Sequence, residues 1–231
     1  MKEWYYNEFK QTGVNFENED EVKQYDEKYK KVRNLDLEAE SISTAVGLKP
    51  DSIILEIGTG TGEIATRLSK QCKKVYACDV SETMLNYASN KAKNYGLKNI
   101  EFIHSGFLNY EIEPESCDAV ITQLALHHLP DFWKSVALNR INNTLKEGGR
   151  LYLLDSILSF ETLRYDESIS NVIDLAKKTV GERLASEIIV NIRDEFPTYD
   201  WIIEGLIKKN GMKIISKTKY TDVMTMLICV K

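Results

Sequence analysis

The chain has only four prolines and three histidines in 231 residues, and no apolar run approaches the ~18 residues that a membrane-spanning helix needs. Cys72, Cys78, Cys117 and Cys229 form no C-x-x-C pair and show no zinc spacing, which argues against a disulfide framework or a zinc ribbon. Three of them lie in or beside apolar runs, so they read as reduced, buried thiols. Basic excess is missing too. Thirty Lys and Arg against 35 Asp and Glu leave a net charge of −5, which gives no electrostatic footprint for nucleic acid. The start, Met1-Lys2-Glu3-Trp4, holds no apolar signal core, so a soluble cytoplasmic protein without a membrane partner is expected. Repeats and interior linkers are also lacking, and residues 1–231 read as one domain.

What is present centres on residues 52–69, SIILEIGTGTGEIATRLS. Ile53-Ile54-Leu55 is short and β-branched enough for a buried strand. A turn follows, Glu56-Ile57-Gly58-Thr59-Gly60-Thr61-Gly62, and then a helical pattern through Ile64, Ala65 and Leu68. Strand, glycine turn and helix make the first βα unit of a nucleotide-binding sheet, with glycines that let backbone approach a ligand. A second strand, residues 74–79, ends on Asp79, about twenty residues past the turn, where ribose-binding acids occur.

The glycine spacing selects the nucleotide. A dinucleotide turn, G-x-G-x-x-G, needs its third glycine at position 63, which is Glu63; the glycine comes one residue early, at Gly62. The resulting E-x-G-x-G-x-G, from Glu56 to Gly62, resembles motif I of the class I S-adenosylmethionine-dependent methyltransferases. The resemblance runs from about Tyr25 to the C-terminus. It implies an α/β fold: a doubly wound, mostly parallel seven-stranded sheet whose last strand is antiparallel and sits between the fifth and sixth.

S-adenosylmethionine is the implied cofactor, and the resemblance places its contacts. Glu56, Gly58, Thr59 and Gly60 form the turn, while Tyr25 of a Tyr25-Asp26 pair and Arg33 take the amino-acid end. Asp79 accepts from the ribose hydroxyls, with Val80 beside it, and the D-x-S-x-x-M-L run lays Met84 over adenine. Ser81 suits the following helix as its N-cap. After the third strand, residues 100–104, the chain departs from the family. The place of an acid for the adenine amino group is Gly106, leaving backbone and rings such as Phe107 to read the base. Gln123 and Leu124, at the carboxyl end of the fourth strand (118–123), border the cofactor.

Outside this core, Trp4, Tyr5, Tyr6 and Phe9 either pack on the surface or cover the site's mouth. Residues 15–20 read as a loop, followed from Glu21 by a helix with Tyr25, Tyr29 and Val32 on one face, then by a helix over 35–46 stopped by Gly47 and Pro50. A helix over 132–145 leads to Lys146-Glu147-Gly148-Gly149, with Gly148 as its C′ residue, and a fifth strand over 150–154 ends on Asp155. Helices over 169–180 and 183–194 make an insert, and a helix over 199–209 precedes strands over 213–220 and 225–230. The layout is a helical cap (1–49), a cofactor core (51–155), a substrate-side insert (156–198) and a closing unit (199–231).

Candidate catalytic residues are His127 and His128, which titrate near neutrality, and Asp155, which either points toward the site or caps the next segment. Adjacent histidines point different ways, so at most one faces the site. Thr122-Gln123-Leu124-Ala125 lacks the Asn/Asp-Pro-Pro-aromatic signature of adenine N-methylation, and no cysteine follows a proline as cytosine C5 chemistry requires. The resemblance therefore implies methyl transfer to O, N or C of a small molecule, with no metal, and the alternative is an RNA or protein methyltransferase of the same fold. A nicotinamide oxidoreductase is suggested only by Tyr6-x-x-x-Lys10 and Tyr87-x-x-x-Lys91, both far too early for the short-chain dehydrogenase pattern. A non-catalytic cofactor-binding regulator is the remaining class. No motif reports an oligomeric partner.

Overall fold

The computed structural model describes residues 2–10, 16–30 and 33–231. Two helices lead in, α1 (Glu19–Lys30) and α2 (Leu35–Val46). The Asn34 side chain caps α2 by accepting from the Leu37 amide; Leu35, Ala39, Ile42 and Val46 form its buried stripe, and Gly47 ends it at φ +66°. Val32 and Asn15, which belong to the expected first helix and loop, lie outside the described residues.

Alternating units follow: β1 (Ile53–Ile57), α3 (Glu63–Leu68), β2 (Lys74–Asp79), α4 (Glu82–Asn94), β3 (Ile100–His104), β4 (Cys117–Gln123), α5 (Asp131–Thr144) and β5 (Leu145–Asp155). Then come β6 (Ile157–Leu158), α6 (Tyr165–Thr179), α7 (Glu182–Asp194), β7 (Thr198–Tyr199), α8 (Asp200–Lys209), β8 (Lys213–Thr221) and β9 (Met224–Val230). The main sheet has the order β3-β2-β1-β4-β5-β9-β8. Its first five strands are parallel, and β9 runs antiparallel between β5 and β8, as the resemblance implied.

Period-two alternation sends the central strands' side chains to two apolar layers. Leu55, Ile57 and Val120 pack with Trp133, Leu138 and Ile141 on one face; Ile54 and Ile121 pack with Ile42, Ile64 and Leu68 on the other. All four cysteines are free and buried. Among the described residues, no helix is long and apolar enough to cross a membrane.

Two local expectations change. α5 stops at Thr144, and Leu145 is already extended and paired with Cys117, so Gly148 is not a helix C′ residue. Its φ of +73° instead serves the stretch where the β4–β5 register slips between Cys117 and Ala119. The insert is also fastened in a way no pattern announced: β6 and β7 pair in parallel, Ile157 with Thr198 and Leu158 with Tyr199, closing α6 and α7 into a loop.

Candidate active site

The glycine turn is stapled to the neighbouring strand. The amides of Gly58 and Thr59 both donate to the Cys78 carbonyl at 2.9 Å, which draws the end of β1 against the end of β2. Gly58 has φ +77°, and a Cβ there would come within 2.5 Å of the Ala125 Cβ, so only glycine fits. At Gly60 a Cβ would meet nothing within 4 Å, because this residue faces open space. Its amide donates to Asp79 Oδ2 at 2.7 Å, and Asp79 Oδ1 accepts from the Ser81 amide at 2.9 Å. Ser81 is the N-cap of α4, accepting from the Met84 amide at 3.1 Å, so Asp79 is not consumed as a cap. Burial raises the Asp79 carboxyl above its ordinary range.

Every residue assigned to the cofactor in the sequence lines one pocket at the carboxyl ends of β1 to β4. At one end Arg33 is held by Glu38, with Nε 3.0 Å from Oε1. Nearby, the buried Glu56 accepts from Thr59 Oγ1 at 2.7 Å. Burial pushes Glu56 up to about 8, against the Thr59 hydrogen bond and with help from the charge of Asp79. Tyr25 lies 4.6 Å from the Tyr29 ring, and Tyr29 Oη donates to Glu187 Oε2 at 2.6 Å, tying α1 to α7. At the β4 end, Leu124 adopts φ +52°, a costly conformation for a branched side chain, and the Gln123 Nε2 beside it is buried with no partner among the described residues.

Asp26 serves the turn rather than the pocket's interior chemistry. It accepts from Thr61 Oγ1 at 2.6 Å and from Lys91 Nζ at 2.6 Å, and Lys91 also reaches Glu63 at 2.5 Å. Lys91 is thus consumed in an ion-pair network, which removes the dehydrogenase reading of Tyr87 and Lys91.

The catalytic candidates separate. His128 lines the pocket, whereas His127 and Asp155 do not. Asp155 is turned beneath the chain after β4, where it accepts from the Leu126 and Ser156 amides at 2.8 and 2.6 Å and meets His127 Nδ1 at 2.5 Å. Of the two roles left open for it, the contacts present are those of a local cap: two amides and an imidazole hold it. His127 Nε2 lies 3.2 Å from Glu195 Oε2. Burial alone would lower the His127 pKa, but Asp155 and then Glu195 outweigh it and lift it to about 9. His128, 4.3 Å away between ring centroids, is pushed down to about 4 by burial and by the charge on His127. Donor atoms of His127, His128 and Glu195 lie within 4.8 Å of one another. His127 sits between the carboxylates of Asp155 and Glu195, which pair with its two ring nitrogens.

Two acids absent from the sequence reading stand at the pocket and behind it: Glu8 lines it, and Glu195 pairs with His127. Glu195 arrives from the end of α7. Glu8 arrives from the N-terminal segment, where Oε1 accepts from the Leu108 amide at 2.9 Å. The aromatics around Glu8 divide between the two roles foreseen for them. Trp4 and Tyr5 pack on Trp133, at 6.2 and 4.8 Å between ring centroids, while Tyr6 lines the pocket and donates to the His128 carbonyl at 3.2 Å.

The fold is the Rossmann-like α/β arrangement seen in solved methyltransferases. Residues 54–149 match the family described as Methyltransferase domain. An uncharacterized methyltransferase of Geobacillus sp. is 28% identical over 205 residues, spanning 89% of each chain. A SAM-dependent methyltransferase from Aquifex aeolicus superposes with a TM-score of 0.65 at 21% identity, covering 92% of this chain and 98% of that one. The magnesium protoporphyrin IX methyltransferase of Synechocystis, solved with SAH bound, has a TM-score of 0.62 at 19% identity, covering 85% and 83%. The chain thus resembles methyltransferases over most of its length and shares their fold.

Proposed function

We propose that the protein transfers the methyl group of S-adenosylmethionine to O, N or C of a small-molecule acceptor. The observation that carries this reading is the Gly58–Gly60 turn set against Asp79: backbone that only glycine permits, facing open space, with a carboxylate fixed beside it. The residues present fit the group. Asp79 offers acceptors to a ribose, the slot of Val80, Met84 and Phe107 suits a flat base, and Arg33, Tyr25 and Glu56 suit a charged amino-acid tail. Gln123 Nε2 is a buried donor that a ligand would satisfy. Gly62 forms no phosphate cradle, because a Cβ there would lie 2.9 Å from the Ala88 Cβ; it lets α4 pack close.

The cofactor supplies a methyl group already activated on a sulfonium. The chain's part is to hold an acceptor in line and keep water out. Tyr6 and the N-terminal segment cover the pocket from one side, which favours a small acceptor over RNA or protein. His128, held neutral at pH 7, is a pocket residue able to take a proton from an acceptor that must lose one. His127 and Asp155 act behind it as positioning residues. Label transfer from methyl-labelled cofactor tests the reading on small acceptors bearing hydroxyl, amine or activated carbon, beside RNA and protein. Transfer to a small acceptor, lost in Asp79→Ala, is expected; transfer confined to RNA or protein contradicts it.

A further inference from the structure

The sheet's edge orders the pocket strand by strand. Gly58 and Gly60 follow β1, Asp79 ends β2, and Gly106 lies just past β3, whose His104 pairs in register with Asp79. Neighbouring strands stand about 4.8 Å apart. A nucleoside whose sugar meets Asp79 therefore carries its base over the β3 edge, among Val80, Met84 and Phe107.

Gly106 presents no side chain to that base, but the space is not empty. A Cβ built on Gly106 would overlap the Glu8 carboxylate, with Oε2 the nearest atom, and would also lie 2.8 Å from Val80 Cγ1. Glu8 thus stands where a side chain at 106 would begin, and it can do so only because position 106 is glycine. Three contacts fix the segment that delivers it. Tyr5 Oη donates to the Leu108 carbonyl at 3.0 Å, Tyr6 Oη donates to the His128 carbonyl at 3.2 Å, and Phe9 packs edge-on to His104 at 5.1 Å. The carboxylate is short of compensation. Burial lifts Glu8 to about 7 despite the Leu108 and Phe107 amides and the charge of Arg140. An N–H donor from a ligand would relieve that deficit.

We propose that Glu8 is a specificity-determining residue that accepts a hydrogen bond from the exocyclic amino group of a 6-aminopurine nucleoside and so selects it over a 6-oxopurine. The inference rests on the cofactor reading above. It also couples base recognition to closure, since the group that meets the base belongs to the segment covering the pocket.

The test is calorimetric binding of S-adenosylhomocysteine and its deaminated 6-oxo analogue, S-inosylhomocysteine, to wild type, Glu8→Gln and Glu8→Ala. Thermal unfolding of each variant confirms that it is folded. At about pH 8.5, above the value of about 7 to which burial lifts Glu8, wild type is expected to prefer the amino form by about tenfold or more, because the 6-oxo oxygen then faces an ionised carboxylate that cannot donate to it. In Glu8→Gln the carboxamide NH2 can donate to that oxygen, and the preference should narrow by about tenfold or reverse; Glu8→Ala should abolish it. An unchanged preference in both variants overturns the proposal. Equal weakening of both ligands also overturns it, since Glu8 would then only strap the segment down. Failure of wild type to bind S-adenosylhomocysteine at all is a different result: it removes the cofactor reading itself, and this inference with it.

Discussion

Glu56→Gln should make the unliganded protein more stable while weakening its ligand. Glu56 is buried, and its carboxyl rises from 4.5 to about 8 on folding, so the folded state holds a proton that the unfolded chain releases between those values. Stability from this group is complete below about pH 4.5 and is lost as pH climbs through about 8. At ~1.36 kcal/mol per pH unit, the loss reaches about 3 kcal/mol by pH 7 and about 5 kcal/mol above pH 8. Glutamine keeps an oxygen for Thr59 Oγ1 and cannot ionise. Urea unfolding of wild type and variant at about pH 5, 7 and 8.5, followed by tryptophan fluorescence, should therefore show a gap favouring the variant that widens with pH. Binding of S-adenosylhomocysteine should weaken in the same variant, because a cationic amino-acid tail would favour the ionised form of Glu56 and pair with it, which glutamine cannot do. A gap independent of pH, or a variant less stable than wild type at about pH 8.5, refutes the reasoning.

Asp155→Asn should bring the His127 titration down from about 9 toward or below 6.5, read by NMR of the imidazole protons, and should cost about 3–5 kcal/mol by breaking a buried pair; an unmoved titration would contradict the pairing. His128→Ala should leave S-adenosylhomocysteine affinity within about twofold and lower turnover about 10²–10⁴-fold on an acceptor that must lose a proton; unchanged turnover would remove the base role. Gly58→Ala and Gly60→Ala should differ in kind. The first adds a clash with the Ala125 Cβ to the strain of a positive φ and should lose about 1–3 kcal/mol in thermal unfolding, whereas the second, at φ +53°, has open space and should lose only about 1 kcal/mol from backbone strain, together with ligand affinity. S-adenosylhomocysteine affinity unchanged in Gly60→Ala would show that Gly60 does not face the ligand.

The strands and helices that build the sheet were legible because their patterns are local. Three apolar residues before a glycine turn, the Asn34 and Ser81 caps and the Gly47 stop each act within a few residues. Strand order was legible only through the family resemblance, since pairing β9 between β5 and β8 leaves no mark on either segment. The site divides the same way. Residues on the strand ends could be assigned from the motifs, but Glu8 and Glu195 come from segments distant in sequence and carry no periodic signal of their purpose. Gly106, read as a lost contact, was half of the Glu8 signal: a glycine where a side chain is expected marks a place another segment can enter. Gly148 misled because a glycine with positive φ suits a helix end and a strand irregularity equally well, and register alone decides between them. Asp155 stayed open in the sequence because the acid at a strand's end can face the ligand or the turn beside it, and in the fold the turn offers two amides.

The measurement closest to the central claim is calorimetry of S-adenosylmethionine and S-adenosylhomocysteine, with NAD as control, on wild type and Asp79→Ala. Micromolar binding of the two sulfur compounds, no binding of NAD, and affinity at least about tenfold weaker in the variant are predicted. Binding of NAD with neither sulfur compound bound would contradict the account, because the early third glycine and the Asp79 carboxylate would then serve a different nucleotide.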